Sequence, residues 1–138
     1  MIGKISIDEM TKKLEKIFPQ IRGRYRILKL EDSSSEVQLL AAEENLRPGN
    51  TISGPTMFEL ADISFYVAVL ALTGYGTLAV TTNVSINFLR KPFLNDLIAV
   101  AKIKKSGRQL VVGDVEIFSE DRSAIFAHAI FTYSVPPS

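Results

Sequence analysis

The chain has 138 residues, enough for one domain with a real core, and 46% of them are apolar. Its 16 Lys and Arg are interspersed with 15 Asp and Glu for a net charge of +1, which argues against a dedicated nucleic-acid binder. It has no cysteine, so disulfides, a thiolate nucleophile and cysteine metal sites are excluded, and a cytoplasmic location is compatible.

The first stretch, "MIGKISIDEMTKKLEKIF", is charged throughout and lacks the apolar run of a secretory signal. Within it, Ile7, Met10, Leu14, Ile17 and Phe18 recur at helical spacing, with Ser6 or Asp8 near the start and Pro19 at the close. A short amphipathic helix over 6–18, packed on the body, is expected. Residues 24–31 and 36–43 read as strands, and "DSSS" at 32–35 joins them as a hairpin. Asn45 to Gly54 is rich in Gly, Pro and Asn and reads as a loop.

Residues 55–73 are too long for one strand and apolar on nearly every side, the mark of a buried helix, which "TGYG" ends. The run from Ile63 to Leu72 is too short to span a bilayer, and Glu59 and Asp62 interrupt its extension upstream, so no membrane association is expected. In "AVTTNVSINFL", Val80, Thr82, Val84, Ile86 and Phe88 share one face and Thr81, Asn83, Ser85 and Asn87 the other, which predicts a half-buried strand. "RKPFLND" reads as a turn. "LIAVAKIKK", "QLVVGDVEIFS" and "AIFAHAIFTYSV" follow as strands joined by "SGR" and "EDRS". The last four strands should form an antiparallel meander. The whole is an α+β fold in which a curved antiparallel sheet wraps one long buried helix.

Two features in this helix carry chemistry. Asp62 lies in the greasiest segment of the chain, where a carboxylate is costly unless paired or hydrogen-bonded. It either sits on a wet stripe or binds a backbone group, or it acts as a base or nucleophile. "SGP" at the helix start offers a cap at Ser53, a glycine at 54 and a proline at 55 suited to the first turn. That end is either a well-made cap or an oxyanion site built from free N–H groups. Gly54 and Asp62 are eight residues apart, roughly 12 Å along a helix. One reacting carbonyl reaches both only if they come from two subunits, which predicts an isologous dimer with two equal sites at its interface.

The pattern "SGPTMFELAD", then "VTTNVSINFLRKP", then "GR" in a hairpin resembles hotdog-fold acyl-CoA thioesterases, most of all the phenylacetyl-CoA thioesterase-like group. The resemblance runs from about residue 22 to residue 135 and implies a single hotdog domain over 1–138. It implies hydrolysis of a short, medium-chain or aromatic acyl-CoA to free acid and CoA, with no metal and no redox cofactor. The partners implied are the acyl-CoA substrate and a second copy, the homodimer assembling further as a dimer of dimers. Carried over residue by residue, the Gly54 N–H polarises the thioester carbonyl. Asp62 activates water or attacks, and Thr81 helps position the water. Arg90 and Lys91 suit the CoA phosphates, with Arg108 a weaker candidate.

The chain departs from the family pattern at three positions. Ser53 replaces the motif histidine, Pro55 the second glycine, and Arg47 an asparagine that often precedes the motif. These changes leave the acid and the helix start in place and alter the pocket wall. Arg47 could meet an anionic substrate group or pair with Asp62 across the dimer. The single histidine, His128, lies in a late strand and reads as hydrogen-bonded there. Neither a His–acid dehydratase pair nor a histidine metal cluster can be built from it. The alternative function is a noncatalytic hotdog that binds acyl-CoA or another apolar ligand, and beyond it a structural dimerisation module.

Overall fold

The computed structural model describes residues 5–137. Helix α1 spans Ile7–Ile17, and Ser6 Oγ caps it by accepting from the Glu9 N–H at 3.1 Å. Met10 and Leu14 bury its apolar stripe, as the spacing predicts. Strands β1, Tyr25–Glu31, and β2, Ser34–Leu39, form the first hairpin. Its turn is shorter than expected, because β2 begins at Ser34 and not at residue 36. A bulge between Ile27 and Lys29 shifts the phase of β1, so Ile27 and Leu30 are buried while Leu28 is exposed. The segment read as a loop contains two short strands, β3 Leu46–Arg47 and β4 Thr51–Ile52, paired as a small hairpin.

Helix α2 runs from Gly54 to Thr73 and ends at Gly74, whose N–H returns to the Leu70 carbonyl. By length and composition it could cross a membrane, yet just over half of its most apolar window, 56%, is buried inside the protein. The cover is a six-stranded antiparallel sheet in the order β1-β2-β6-β7-β8-β5, where β5 is Val80–Phe88, β6 Leu97–Ser106, β7 Leu110–Ser119 and β8 Ile125–Ser134. Only β6, β7 and β8 form the expected meander. β5 does not pair with β6. The segment read as a turn after β5 carries the chain across to β6, which lies between β2 and β7, and β5 closes the far edge against β8. The sequence signals short connections here but holds nothing that fixes which neighbour a strand takes.

Packing is tightest where α2 meets β7 and β8. The Phe65 ring stacks on Phe131, centroids 5.3 Å apart, and lies tilted against Tyr133. Gly113 in β7 makes room for it: a Cβ there would fall 2.2 Å from the Lys102 carbonyl and 2.6 Å from the Phe65 ring. The alternation expected in β5 also breaks. A bulge between Thr81 and Asn83 brings Thr81 onto the half-buried face with Val84 and Ile86, and leaves Val80 exposed.

Candidate active site

α2 carries two acids, and their surroundings differ. Glu59 is bound by Arg24 at 2.8 Å and by the Tyr25 hydroxyl. Burial and the Glu59 charge push the Tyr25 phenol up, so it stays a donor. Glu59 is thus tied to the first hairpin by a cation and a phenol.

Asp62 has no cation partner among the described residues. Thr81 Oγ1 donates to its Oδ1 at 2.7 Å, and the Tyr133 hydroxyl donates to the same oxygen at 2.7 Å. Oδ2 accepts no hydrogen bond among the described residues. The carboxylate is half-buried and borders a cavity of ≈ 240 Å³ with Thr81 and Tyr133. Burial, and then the Asp62 charge, push the Tyr133 phenol up, which keeps it protonated and donating. The β5 bulge is what turns Thr81 inward to meet Asp62.

At the other end of this stretch, Ser53 caps α2. Its Oγ accepts from the Thr56 N–H at 3.2 Å, and its own N–H donates to the Asn45 carbonyl at 2.9 Å. The Met57 N–H closes the first turn on the Ser53 carbonyl, and Pro55 has no N–H. The Gly54 N–H remains as the donor at the helix start with no acceptor among the described residues. The Phe88 ring packs on Gly54, 3.3 Å from where a Cβ would stand. A Cβ at 54 would need the half-exposed Phe88 ring to give by a few tenths of an ångström, a contact that the sequence context did not reveal.

Arg47, Ser53, Gly54, Pro55, Arg90 and Lys91 line one cleft of ≈ 710 Å³ with Phe88 among its apolar walls. No carboxylate lines that cleft, and its three cations have no salt-bridge partner among the described residues. Asp62 and Thr81 lie elsewhere, at the cavity near the start of β5. Arg108 sits in the β6–β7 turn, at the Asp62 end of the sheet and away from Arg90 and Lys91. His128 bonds Asp114 at 2.9 Å, a strand histidine with a carboxylate partner. Sequence reasoning missed Tyr133. A signal existed, since Tyr133 continues the inward alternation of Ala127, Ala129 and Phe131, and a buried tyrosine hydroxyl needs a partner.

A profile of the Thioesterase superfamily matches residues 49–125, from the turn before α2 to the start of β8. The chain belongs to this superfamily: it is a thioester hydrolase with the hotdog fold. A solved structure from Silicibacter sp. TM1040, provisionally assigned as a thioesterase, is 46% identical and superposes with a TM-score of 0.89 over 96% of this chain and 93% of that one. The acyl-coenzyme A thioesterase PaaI of Escherichia coli K12 is 28% identical over 100 residues, covering 72% of this chain and 69% of that protein. A Streptococcus pneumoniae TIGR4 thioesterase-like protein solved with coenzyme A is 24% identical, with a TM-score of 0.80 over 93% of this chain and 98% of its own. The chain spans about two thirds of the length of the curated relatives it matches.

Proposed function

We propose that this protein hydrolyses acyl-CoA thioesters to free acid and CoA at sites shared between two copies of the chain. The observation that carries the reading is the Asp62 carboxylate. It has no cation partner among the described residues, it is fixed through Oδ1 by Thr81 and Tyr133, and its Oδ2 is left to a water or a substrate. Asp62 takes a proton from water as the oxygen attacks the thioester carbon. The carbonyl oxygen gains charge and accepts from the Gly54 N–H at the positive end of α2. The C–S bond breaks, and CoA leaves as thiol with the proton that Asp62 had taken. Arg90 and Lys91, beside the helix start, hold the CoA phosphates. The coenzyme A bound by the Streptococcus relative and the activity named for PaaI support this substrate.

The topology supports two-chain sites. β5 is the outer strand of the sheet and has no partner on its far side among the described residues. Pairing β5 antiparallel with its own copy about a twofold axis sets the Thr81 end of one strand beside the Phe88 end of the other. Thr81 holds Asp62, and Phe88 lies on Gly54. Asp62 of one chain then meets the helix start of its partner, which removes the roughly 12 Å gap between them within one chain. The test is thiol release from a panel of acyl-CoAs. Asp62→Asn keeps the shape and the Oδ1 acceptor and should lose at least about a hundredfold in kcat. Unchanged turnover in a folded Asp62→Asn protein would refute the assignment.

A further inference from the structure

We propose that Arg47 reads a carboxylate on the acyl group, so that this chain selects acyl-CoAs whose acyl part ends in an acid. This rests on the acyl-CoA reading above and extends it to the substrate class. Arg47 lies in β3, paired through the backbone with Thr51 of β4. Thr51 is buried and bridges to Phe93, and the Ile52 N–H donates to the Pro92 carbonyl at 2.8 Å. α2 begins two residues after β4 ends. A small paired platform therefore sets this cation beside the helix start.

No carboxylate lines the cleft that Arg47 shares with Gly54, and Arg47 has no salt bridge among the described residues. The other two cations differ from it in one respect. Arg90 and Lys91 also line a neighbouring depression with Phe93, Asp96, Asp121 and Phe126, which Arg47 does not line. CoA carries its charges on phosphates at the nucleotide end, and the pantetheine arm beside the thioester is uncharged. Arg90 and Lys91, where the two depressions meet, suit those phosphates. Arg47 is left for an anion close to the carbonyl, and on an acyl-CoA that anion belongs to the acyl group. A guanidinium grips a carboxylate bidentately, which a lysine does not. Pro48, Ile52, Met57 and Phe88 line the same cleft and suit the methylenes between the two carbonyl carbons.

The experiment compares glutaryl-CoA with pentanoyl-CoA, and adipyl-CoA with hexanoyl-CoA, by thiol release with spontaneous hydrolysis subtracted. The readout is the ratio of kcat/KM within each pair. In the wild type at least one pair should favour the acid by about tenfold or more, the low end of what hydrogen bonds to a charged group contribute. Arg47→Gln should bring that ratio to about one or below, and Arg47→Lys should hold an intermediate value. Affinity for the matching carboxyalkyl-CoA and alkyl-CoA thioethers, by calorimetry, reads the same preference without turnover. It separates a failure here from a failure of the hydrolase reading. A wild-type ratio near one in both pairs overturns the proposal. So does a high ratio that Arg47→Gln leaves intact. An equal loss for both members of a pair overturns it too, and assigns Arg47 to the CoA phosphates if the matching N-acetylcysteamine thioesters, which lack them, are spared.

Discussion

Asp62 and Glu59 lie one turn apart on the same helix, and the difference in their partners separates structure from chemistry. Glu59 is neutralised by Arg24, while among the described residues Asp62 is hydrogen-bonded only by the Thr81 and Tyr133 hydroxyls, both on Oδ1. Two donors on one oxygen hold the carboxylate in place and leave Oδ2 without a hydrogen bond among the described residues. Tyr133→Phe deletes one donor and leaves the ring that packs on Phe65. Hydrogen bonds to charged groups contribute about 1.5–3 kcal/mol, so kcat should fall roughly tenfold or more with KM nearly unchanged and the unfolding midpoint little moved. A rise in KM at constant kcat would speak against positioning. Asp62 and Gly54 stand out in the sequence because an acid in an apolar helix and a Ser-Gly-Pro start are local anomalies, whereas Thr81 is named there only through the family resemblance. Tyr133 and Phe88 were not singled out, because their roles depend on strands that pair with or cross over α2 from far away in the chain.

At the scale of elements, the bulges and one glycine aim the site. The bulge in β5 brings Thr81 to Asp62, and Gly113 lets the Phe65 ring press against β7 so that α2 seats at the depth where Tyr133 reaches the acid. Gly113→Ala should cost about 3 kcal/mol in urea unfolding, because the nearest atoms are a backbone carbonyl and a packed ring that cannot both retreat. A loss under half a kcal/mol would contradict that packing. The helices, the first hairpin and the last three strands were readable from period alone. The edge position of β5 was not. Alternation predicts a half-buried strand wherever it lies in a sheet, and a bulge inserts a residue without a dependable local signature.

For the whole molecule, the edge strand and the split between the Asp62 cavity and the Gly54 cleft both fit the proposed pair of chains joined along β5. Val80 and Phe88, at its two ends, are 57% and 49% exposed, apolar surface that such pairing would cover. Sedimentation at micromolar concentration should give a mass of twice 15.3 kDa or a multiple of it. A fully active monomer would contradict it. The charge pattern belongs to this scale too. Arg47, Arg90 and Lys91 gather at one cleft although the chain as a whole is nearly neutral, a clustering that neither composition nor linear order displays.

The most direct measurement pairs two disabled chains. Asp62→Asn removes the base. Gly54→Pro removes the N–H at a helix position that tolerates proline, after a Ser53 already extended as a residue before proline must be. Each variant alone should lose at least about a hundredfold in activity. Refolded together in equal amounts, half the dimers are mixed and each holds one intact site, so about a quarter of wild-type activity should return. No recovery from a properly mixed, dimeric sample would mean that Asp62 and Gly54 do not meet across the interface.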